Sequence, residues 1–414
     1  MKIFLQTYGC RANHADSEAV RGMLVAAGAE LVRDSAQADA AVFNSCAVTR
    51  EAEADLRQGV RRAARSNPRL TTIVMGCAAA LDDGRIASLP TVRRVLGGAP
   101  IPDIARALGL DPARATSAPT RQVGARALLR IQDGCDEHCT FCATTLARGA
   151  HRSRPAAALV EEARILAEWH PEIVLTGVHI GSFGREHGSS LGALLTQLVR
   201  AVPRVRFRLS SIEATEVDAP LHELLTDPAS GVVPFLHAPL QSGSDGVLRR
   251  MGRHWYTAAT YARAIERIVG DAPVFGLGAD VMAGFPGESD ADHAATLALV
   301  DALPFTTLHV FPYSERAGTA APRLGHRVAS AVVAHRATEL RERAQRKGAT
   351  YQARRDGGAA DVVVIDGTGA ATRRGLTEDG LSVRVSHPDC GRGSRFRARL
   401  DDVSGVLFAR PAAG

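Results

Sequence analysis

Three cysteines stand as Cys135-x-x-x-Cys139-x-x-Cys142 inside the polar run Gln132-Asp133-Gly134-Cys135-Asp136-Glu137-His138-Cys139-Thr140-Phe141-Cys142, directly after an apolar stretch. Thiolates at this spacing can wrap one corner of a cubane iron–sulfur cluster, each sulfur holding a different iron. The fourth iron then lacks a protein ligand, and an open iron is a place for an exogenous molecule to bind. Other readings compete. A structural zinc site wants four closed ligands, and the one further donor nearby, His138, stands between two of the cysteines, badly placed to close a tetrahedron. A disulfide framework is disfavoured in a chain of 414 residues with 7 cysteines and no secretory leader, which reads as reduced and cytoplasmic. Three buried thiols without a cofactor would suit an apolar segment better than this polar loop.

Three more cysteines occupy equivalent places. Cys10 follows a strand-like run at Lys2–Tyr8, Cys46 follows Ala40–Asn44, and Cys77 follows Thr71–Met75. Helical patterns lie at Asp16–Ala27, Thr49–Arg65 and Asp83–Leu89, with a fourth short strand at Val92–Leu96. This alternation predicts a doubly wound, mainly parallel α/β sheet. All three cysteines then sit at carboxyl ends of strands, where such sheets bind ligands. Isolated cysteines often pack as small hydrophobes. Here Gly9 and Gly76 precede two of them and Ser45 the third, and glycine lets backbone approach a bulky ligand closely. The geometry predicts a second three-cysteine metal site on Cys10, Cys46 and Cys77, again with one position open. Cys390 is left over as a free thiol.

The elements that must carry these sites fall into three architectures. Residues 1–110 form the α/β domain, and 111–124, rich in Pro, Ala, Ser and Thr, read as a linker. Residues 125–347 repeat apolar strands at Ala127–Gln132, Glu172–Val178, Arg206–Ile212, Phe235–Leu240, Val274–Val281 and Thr306–Phe311, with helical patterns between them. Six strands alternating with helices predict a (βα)6 partial barrel whose active site belongs at the carboxyl ends. The Cys135 loop follows the first strand and so lies at that mouth. A long basic helix at Arg327–Lys347 leads to residues 348–414, where short strands at Asp361–Ile365, Leu381–Val385 and Arg395–Leu400 predict a small antiparallel β-barrel.

No apolar stretch approaches the roughly 20 residues a membrane span needs. Net charge is +6, and the basic residues cluster: Arg57, Arg61, Arg62 and Arg65 at helical spacing, Arg204, Arg206 and Arg208 along a strand, and Arg336, Arg341, Arg343, Arg346, Lys347, Arg354 and Arg355 near the third segment. Each alone reads as a solvated face; together they point to nucleic acid.

With these stretches in order, the chain resembles the radical S-adenosylmethionine (SAM) methylthiotransferases along nearly its full length. The matching residues are Thr7-Tyr8-Gly9-Cys10-Arg11-Ala12-Asn13 with Asp16-Ser17-Glu18, Asn44-Ser45-Cys46-Ala47-Val48-Thr49, Met75-Gly76-Cys77, and the Cys135 loop continuing to Ala147-Arg148-Gly149. Further on come His237-Ala238-Pro239-Leu240-Gln241-Ser242-Gly243-Ser244, Gly284-Phe285-Pro286-Gly287-Glu288 and His309-Val310-Phe311-Pro312-Tyr313-Ser314. The resemblance implies an N-terminal methylthiotransferase domain, a radical SAM barrel and a C-terminal TRAM domain. Cys46-Ala47-Val48-Thr49, Arg57-Gln58 and the His309 stretch look like the branch that methylthiolates N6-threonylcarbamoyladenosine 37 in the anticodon loop of tRNA. Other branches act on isopentenyladenosine 37 or on an aspartate of a ribosomal protein. The chain departs from the family at Ala143-Thr144-Thr145-Leu146, where a bulky apolar pair is usual, and at His237-Ala238-Pro239.

The resemblance further implies two [4Fe–4S] clusters. One, on Cys135, Cys139 and Cys142, would bind SAM and generate a 5′-deoxyadenosyl radical that takes hydrogen from C2 of the adenine. The other, on Cys10, Cys46 and Cys77, would deliver sulfur methylated by a second SAM. A low-potential electron donor and a sulfur donor are implied partners. Phe141 is placed either to touch the adenine of SAM or to pack ordinarily. Thr176-Gly177-Val178 would face the methionyl amino group, Glu213 would reach the ribose or stand as a surface carboxylate, and Gln241 and Ser242 share the same rim. A non-catalytic two-cluster electron carrier is the competing class, but carriers normally complete each cluster with a fourth cysteine.

Overall fold

Five parallel strands open the chain. The structure is a computed structural model that describes residues 1–47, 50–113, 121–270, 272, 274–366, 372–387 and 389–412. The first sheet runs Glu30–Val32, Lys2–Thr7, Ala40–Ser45, Thr71–Gly76, Val92–Gly97, every neighbour parallel. Successive side chains of a strand point to opposite faces. Phe43 and Val74 therefore pack on Leu56, Val60 and Ala63 of helix Arg50–Ser66, whereas Val42 and Ile73 meet Val20, Met23 and Leu24 of helix Arg11–Ala26. Ala40–Ser45 is buried at every position, as a strand covered on both faces must be.

Two expectations for this domain need correction. Glu30–Val32 is an additional edge strand, too short to show a period of its own. No helix forms over 83–89. The Asp82 carboxylate takes the amides of Ile86 and Ala87 at 2.8 and 3.1 Å, which favours turns, and the helical turn forms instead at Cys77–Ala80. Thr49, the expected start of the second helix, and residues 114–120 of the expected linker lie outside the described residues.

The second unit has six parallel strands in sequential order: Ala127–Arg130, Glu172–Thr176, Arg206–Leu209, Phe235–His237, Gly276–Ala283 and Thr307–Pro312. Parallel bridges from Phe207 to Val232 and from Ser211 to His237 join the two halves into one curved wall. The helices begin where a side chain can accept an orphan amide. Ser190, Asp218, Ser244, Thr257 and Ser289 each cap the helix that follows. One hydrophobic core runs from Ala127 to Leu340 behind this wall.

Helix Ser330–Arg354 leads to a closed barrel of five strands, Ala359–Asp366, Arg373–Thr377, Ser382–Val385, Val406–Pro411 and Arg395–Val403. The barrel is not purely antiparallel: Ser382–Val385 and Val406–Pro411 pair in parallel to close it.

Arg206 and Arg208 are not a solvated basic face. Both are buried, and their Nε atoms reach the two oxygens of the fully buried Glu172 at 2.5 and 2.9 Å. Arg206 Nη2 donates to Leu376 O at 3.0 Å and Arg208 Nη2 to Thr377 O at 2.9 Å, so the pair clasps the C-terminal barrel to the central wall. Burial alone would raise the Glu172 pKa; Arg208, Arg206 and Arg126 hold it well below the usual carboxylate range. Arg336 and Arg355 are likewise buried, paired with Glu288 and Asp290 and with Glu378 and Asp379. Arg61, Arg62 and Arg65 do remain exposed.

Candidate active site

The Cys135 loop is pinned at both ends. Gly134 holds φ +72°, and a Cβ there would lie 1.9 Å from Ala150 O, so only glycine fits. Gln132 Nε2 donates to the carbonyls of Asp133 and Gly134 at 2.9 and 2.6 Å, while its Oε1 accepts the amides of Val178 and His179 at 3.0 and 2.8 Å. One side chain thus ties the start of the loop to the end of the second barrel strand. Thr140 fixes the other end, its amide on Met251 O at 2.8 Å and its hydroxyl on Arg250 O at 2.9 Å.

Within this frame each sulfur has a distinct neighbour. Cys135 Sγ lies 3.8 Å from His179 Nδ1, Cys139 Sγ 3.6 Å from Arg253 Nη1, and Cys142 Sγ 3.0 Å from Thr144 Oγ1. Burial pushes the Cys139 thiol up to about 12 against the opposing pull of Arg253, so this sulfur ionises readily only with further positive charge beside it. His138 is exposed. The donor set of three thiols suits a cubane cluster with one open iron.

Polar groups without partners line the same edge. Thr176 Oγ1, Ser210 Oγ and Glu213 Oε2 are all buried without a hydrogen bond. They sit at the ends of the second and third strands. Buried polar atoms are almost always satisfied, so three orphans beside a thiol loop mark a place for a polar ligand. The other oxygen of Glu213 accepts from Arg253 Nη2 at 2.5 Å, and Arg253 Nε donates to Tyr256 Oη at 2.9 Å. Arg253 therefore links Cys139 to Glu213.

The remaining expected residues divide by role. Gly177 packs tightly, a Cβ there meeting Gln132 O at 2.8 Å, and the Val178 amide is spent on Gln132. Gln241 adopts φ +62° at the end of the fourth strand. Ser242 is fully buried, with its hydroxyl 3.2 Å from Thr296 Oγ1 and accepting the Ser244 amide, so it shapes the turn. Phe141 stacks edge-on against Phe285 with centroids 6.3 Å apart.

The other three cysteines converge across the α/β sheet. Cys10 immediately precedes helix Arg11–Ala26, and Asn13 Oδ1 lies 3.7 Å from both Cys10 Sγ and Cys77 Sγ. Gly9 holds φ +102°, and a Cβ on it would meet Cys46 Cβ and Sγ at 2.4 and 2.5 Å. The missing side chain of Gly9 is what lets Cys46 approach Cys10. Burial pushes the Cys77 thiol up to about 11, with Arg148 pulling the other way.

Arg148, in the short helix after Cys142, joins Cys77 to the start of the Cys135 loop. Its Nε lies 3.1 Å from Cys77 Sγ, Nη2 donates to Asn13 Oδ1 and Asp16 Oδ2 at 2.9 and 2.8 Å, and Nη1 to Asp133 Oδ1 at 3.0 Å. Asp16 is buried and also binds Arg130 Nη1 at 2.6 Å. Asn13, Asp16 and Arg148 lay inside the matched motifs, but spacing assigned them no role; His179 and Arg253 gave no signal at all. Ala143 and Leu146 line a cleft with Ala47 and Ala78 at the seam between the two domains.

Comparison with known proteins agrees with this geometry. Residues 2–97 match the Uncharacterized protein family UPF0004, and residues 129–300 match the Radical SAM superfamily. The threonylcarbamoyladenosine tRNA methylthiotransferase MtaB of Aquifex aeolicus is 30% identical over 93% of this chain and 100% of its own length. Its Thermotoga maritima counterpart is 35% identical over 84% of this chain and 83% of its own. A tRNA-2-methylthio-N(6)-dimethylallyladenosine synthase of Cereibacter sphaeroides is 35% identical over 77% of each chain. The solved structure of the radical S-adenosylmethionine methyltransferase TsrM from Kitasatospora setae shares the fold, with TM-score 0.56 and 14% identity over 75% of this chain and 72% of that one.

Proposed function

The chain belongs to the MtaB-type radical SAM tRNA methylthiotransferases, and from that premise we propose that it inserts a methylthio group at C2 of N6-threonylcarbamoyladenosine 37 in the anticodon loop of tRNA. The observation that carries the reading is Arg148, which touches a ligand of one cysteine triad from the helix that follows the other. A side chain rooted just after one thiol set and bonded to a thiol of the other suits a reaction that needs activation and sulfur delivery at one carbon.

The [4Fe–4S] clusters, when bound with SAM, supply one-electron chemistry able to break an unactivated C–H bond, together with the sulfur to be transferred. Cys135, Cys139 and Cys142 would hold the first cluster and Cys10, Cys46 and Cys77 the second. The protein's own residues do the positioning. Gln132 fixes the Cys135 loop against the second strand, and Gly9 opens the space in which Cys46 stands beside Cys10. Thr176, Ser210 and Glu213 present unpaired oxygens suited to the amino and ribose groups of SAM. Arg253 keeps Glu213 oriented and places positive charge beside Cys139. Phe141, Gln241 and Ser242 shape the rim around that pocket.

A low-potential electron donor and a sulfur donor complete the reaction. No helix among the described residues is long and apolar enough to cross a membrane, which fits a cytoplasmic enzyme meeting tRNA in solution. The exposed arginines of the C-terminal barrel, Arg384, Arg397, Arg399 and Arg410, suit contact with tRNA phosphates.

Nucleoside analysis of tRNA from a deletion strain tests the reading. Loss of methylthiolated threonylcarbamoyladenosine, restored by the wild-type gene and not by Cys135→Ala, is expected. Loss of the methylthiolated isopentenyl nucleoside instead would assign the other tRNA branch. Unchanged tRNA would remove RNA as the substrate and leave the ribosomal protein.

A further inference from the structure

The barrel wall carries a polar cluster apart from the thiol loop. His237 ends the fourth strand, Asp280 sits on the fifth and His309 on the sixth, and their donor atoms all lie within 4.8 Å of one another. Asp280 Oδ1 is 3.1 Å from His237 Nε2 and 3.4 Å from His309 Nδ1. Parallel register sets Asp280 beside His309 and His237 beside Gly278. A Cβ on Gly278 would come 2.7 Å from His237 Nδ1, so glycine leaves room for the imidazole. His237 is buried, whereas the His309 side chain is 59% exposed, and the cluster therefore opens to solvent at His309.

Arg11, next to Cys10 in the α/β domain, lies within electrostatic reach of this cluster. It is attracted by Asp280 and repelled by His309 through space. The Arg11 side chain is solvent-exposed. Arg126 and Arg208 add to the positive field there, and Glu172 opposes it while engaged by both Arg206 and Arg208. Asp280 is shared between two imidazoles and holds the His309 pKa above its ordinary value. Among the described residues, no hydrogen bond or ion pair of the Arg11 side chain is present. A guanidinium one residue from Cys10 and an acid-paired imidazole thus lie within electrostatic reach of each other.

We propose that Arg11 and His309, the latter oriented by Asp280, bind the carboxylate of the threonyl group on the target nucleoside. The inference rests on the substrate proposed above and deepens it. A guanidinium matches a carboxylate with two parallel hydrogen bonds, and the imidazole adds a third donor. A dimethylallyl group has no charge to offer, so it would form none of these hydrogen bonds. Sites built to pair a polar group reject analogues that lack it.

The test uses the reconstituted holoenzyme and three RNA stem-loops, carrying threonylcarbamoyladenosine, its carboxyl methyl ester or dimethylallyladenosine at the target position. Dissociation constants and kcat/KM are measured for wild type, Arg11→Gln, Arg11→Lys and His309→Asn. Wild type should favour the acid over the ester by about 10- to 100-fold, the range expected for hydrogen bonds to a charged group. Arg11→Gln should abolish most of that preference in binding as well as turnover, His309→Asn part of it, and Arg11→Lys should retain more than Arg11→Gln. Equal handling of acid and ester by wild type, or an unchanged preference in the variants, overturns the inference and leaves the proposed function standing. Turnover of the dimethylallyl RNA alone would overturn both. A non-cluster metal ion bound by wild type and lost in His309→Asn would assign the cluster to that ion and overturn the carboxylate site.

Discussion

Replacing Arg148 by Met should undock the α/β domain far more than removal of an ordinary surface arginine. Arg148 gives four polar contacts between 2.8 and 3.1 Å, to Cys77, Asn13 and Asp16 of the first domain and to Asp133 of the second. Its side chain is 3% exposed and that of Asp16 is 0% exposed. Stripping one partner from a buried pair costs about 3–5 kcal/mol. Arg130 still holds Asp16 at 2.6 Å, which places the expected loss at the lower end, about 3 kcal/mol. At about 1.4 kcal/mol per decade, that is a roughly 100-fold loss of protection against local opening. Hydrogen exchange of the amides of helix Arg11–Ala26, measured by mass spectrometry on anaerobic protein, reads this directly. The same substitution on an Asp16→Asn background removes the stranded charge, and the loss should shrink to about 1 kcal/mol, that of an ordinary hydrogen bond. Unchanged protection in Arg148→Met, or the same loss in both backgrounds, would refute the argument.

Three further outcomes are expected. Gly9→Ala combines a strained φ of +102° with a Cβ 2.5 Å from Cys46 Sγ; its iron content should fall by about half with the barrel cluster intact, and full iron loading would contradict the close approach. Glu172 has a depressed folded pKa, so its stabilisation is complete above the unfolded value of about 4.3 and is lost as pH falls through the lower folded value. Chemical denaturation should therefore show wild type well above Glu172→Gln at neutral pH, with the gap closing progressively below about pH 4.3, and a gap that widens in acid would show the sign to be wrong. Arg384→Ala and Arg397→Ala should each lower the slope of log affinity for tRNA against log salt by just under about 1, as expected for one lost phosphate contact, and unaltered slopes would remove the C-terminal barrel from the RNA interface.

Strands and cysteines were legible because each signal is local. Runs such as Ala40–Ser45 and Glu172–Thr176 are apolar stretches bounded by turn residues, and a cysteine after each of three such runs in one sheet must end near the others. What escaped depends on partners distant in sequence. Arg206 and Arg208 alternate like a solvated face, yet Glu172, 34 and 36 residues away, draws both inside. Glu30–Val32, Arg373–Thr377 and Val406–Pro411 are strands through the ladders they join more than through their own side chains. The closure of the C-terminal barrel by a parallel pair follows from the same cause. Arg148 is the sharpest case: its position after Cys142 is plain in the sequence, but Cys77 lies 71 residues before it, and only the docking of two domains brings them together.

Iron and sulfide content of anaerobically reconstituted protein bears most directly on the claim that two cysteine triads each hold a cubane. Wild type should carry about eight irons and eight sulfides per chain, and Cys10→Ala and Cys135→Ala about four of each. A Cys10→Ala protein that still binds as much iron as wild type would contradict it.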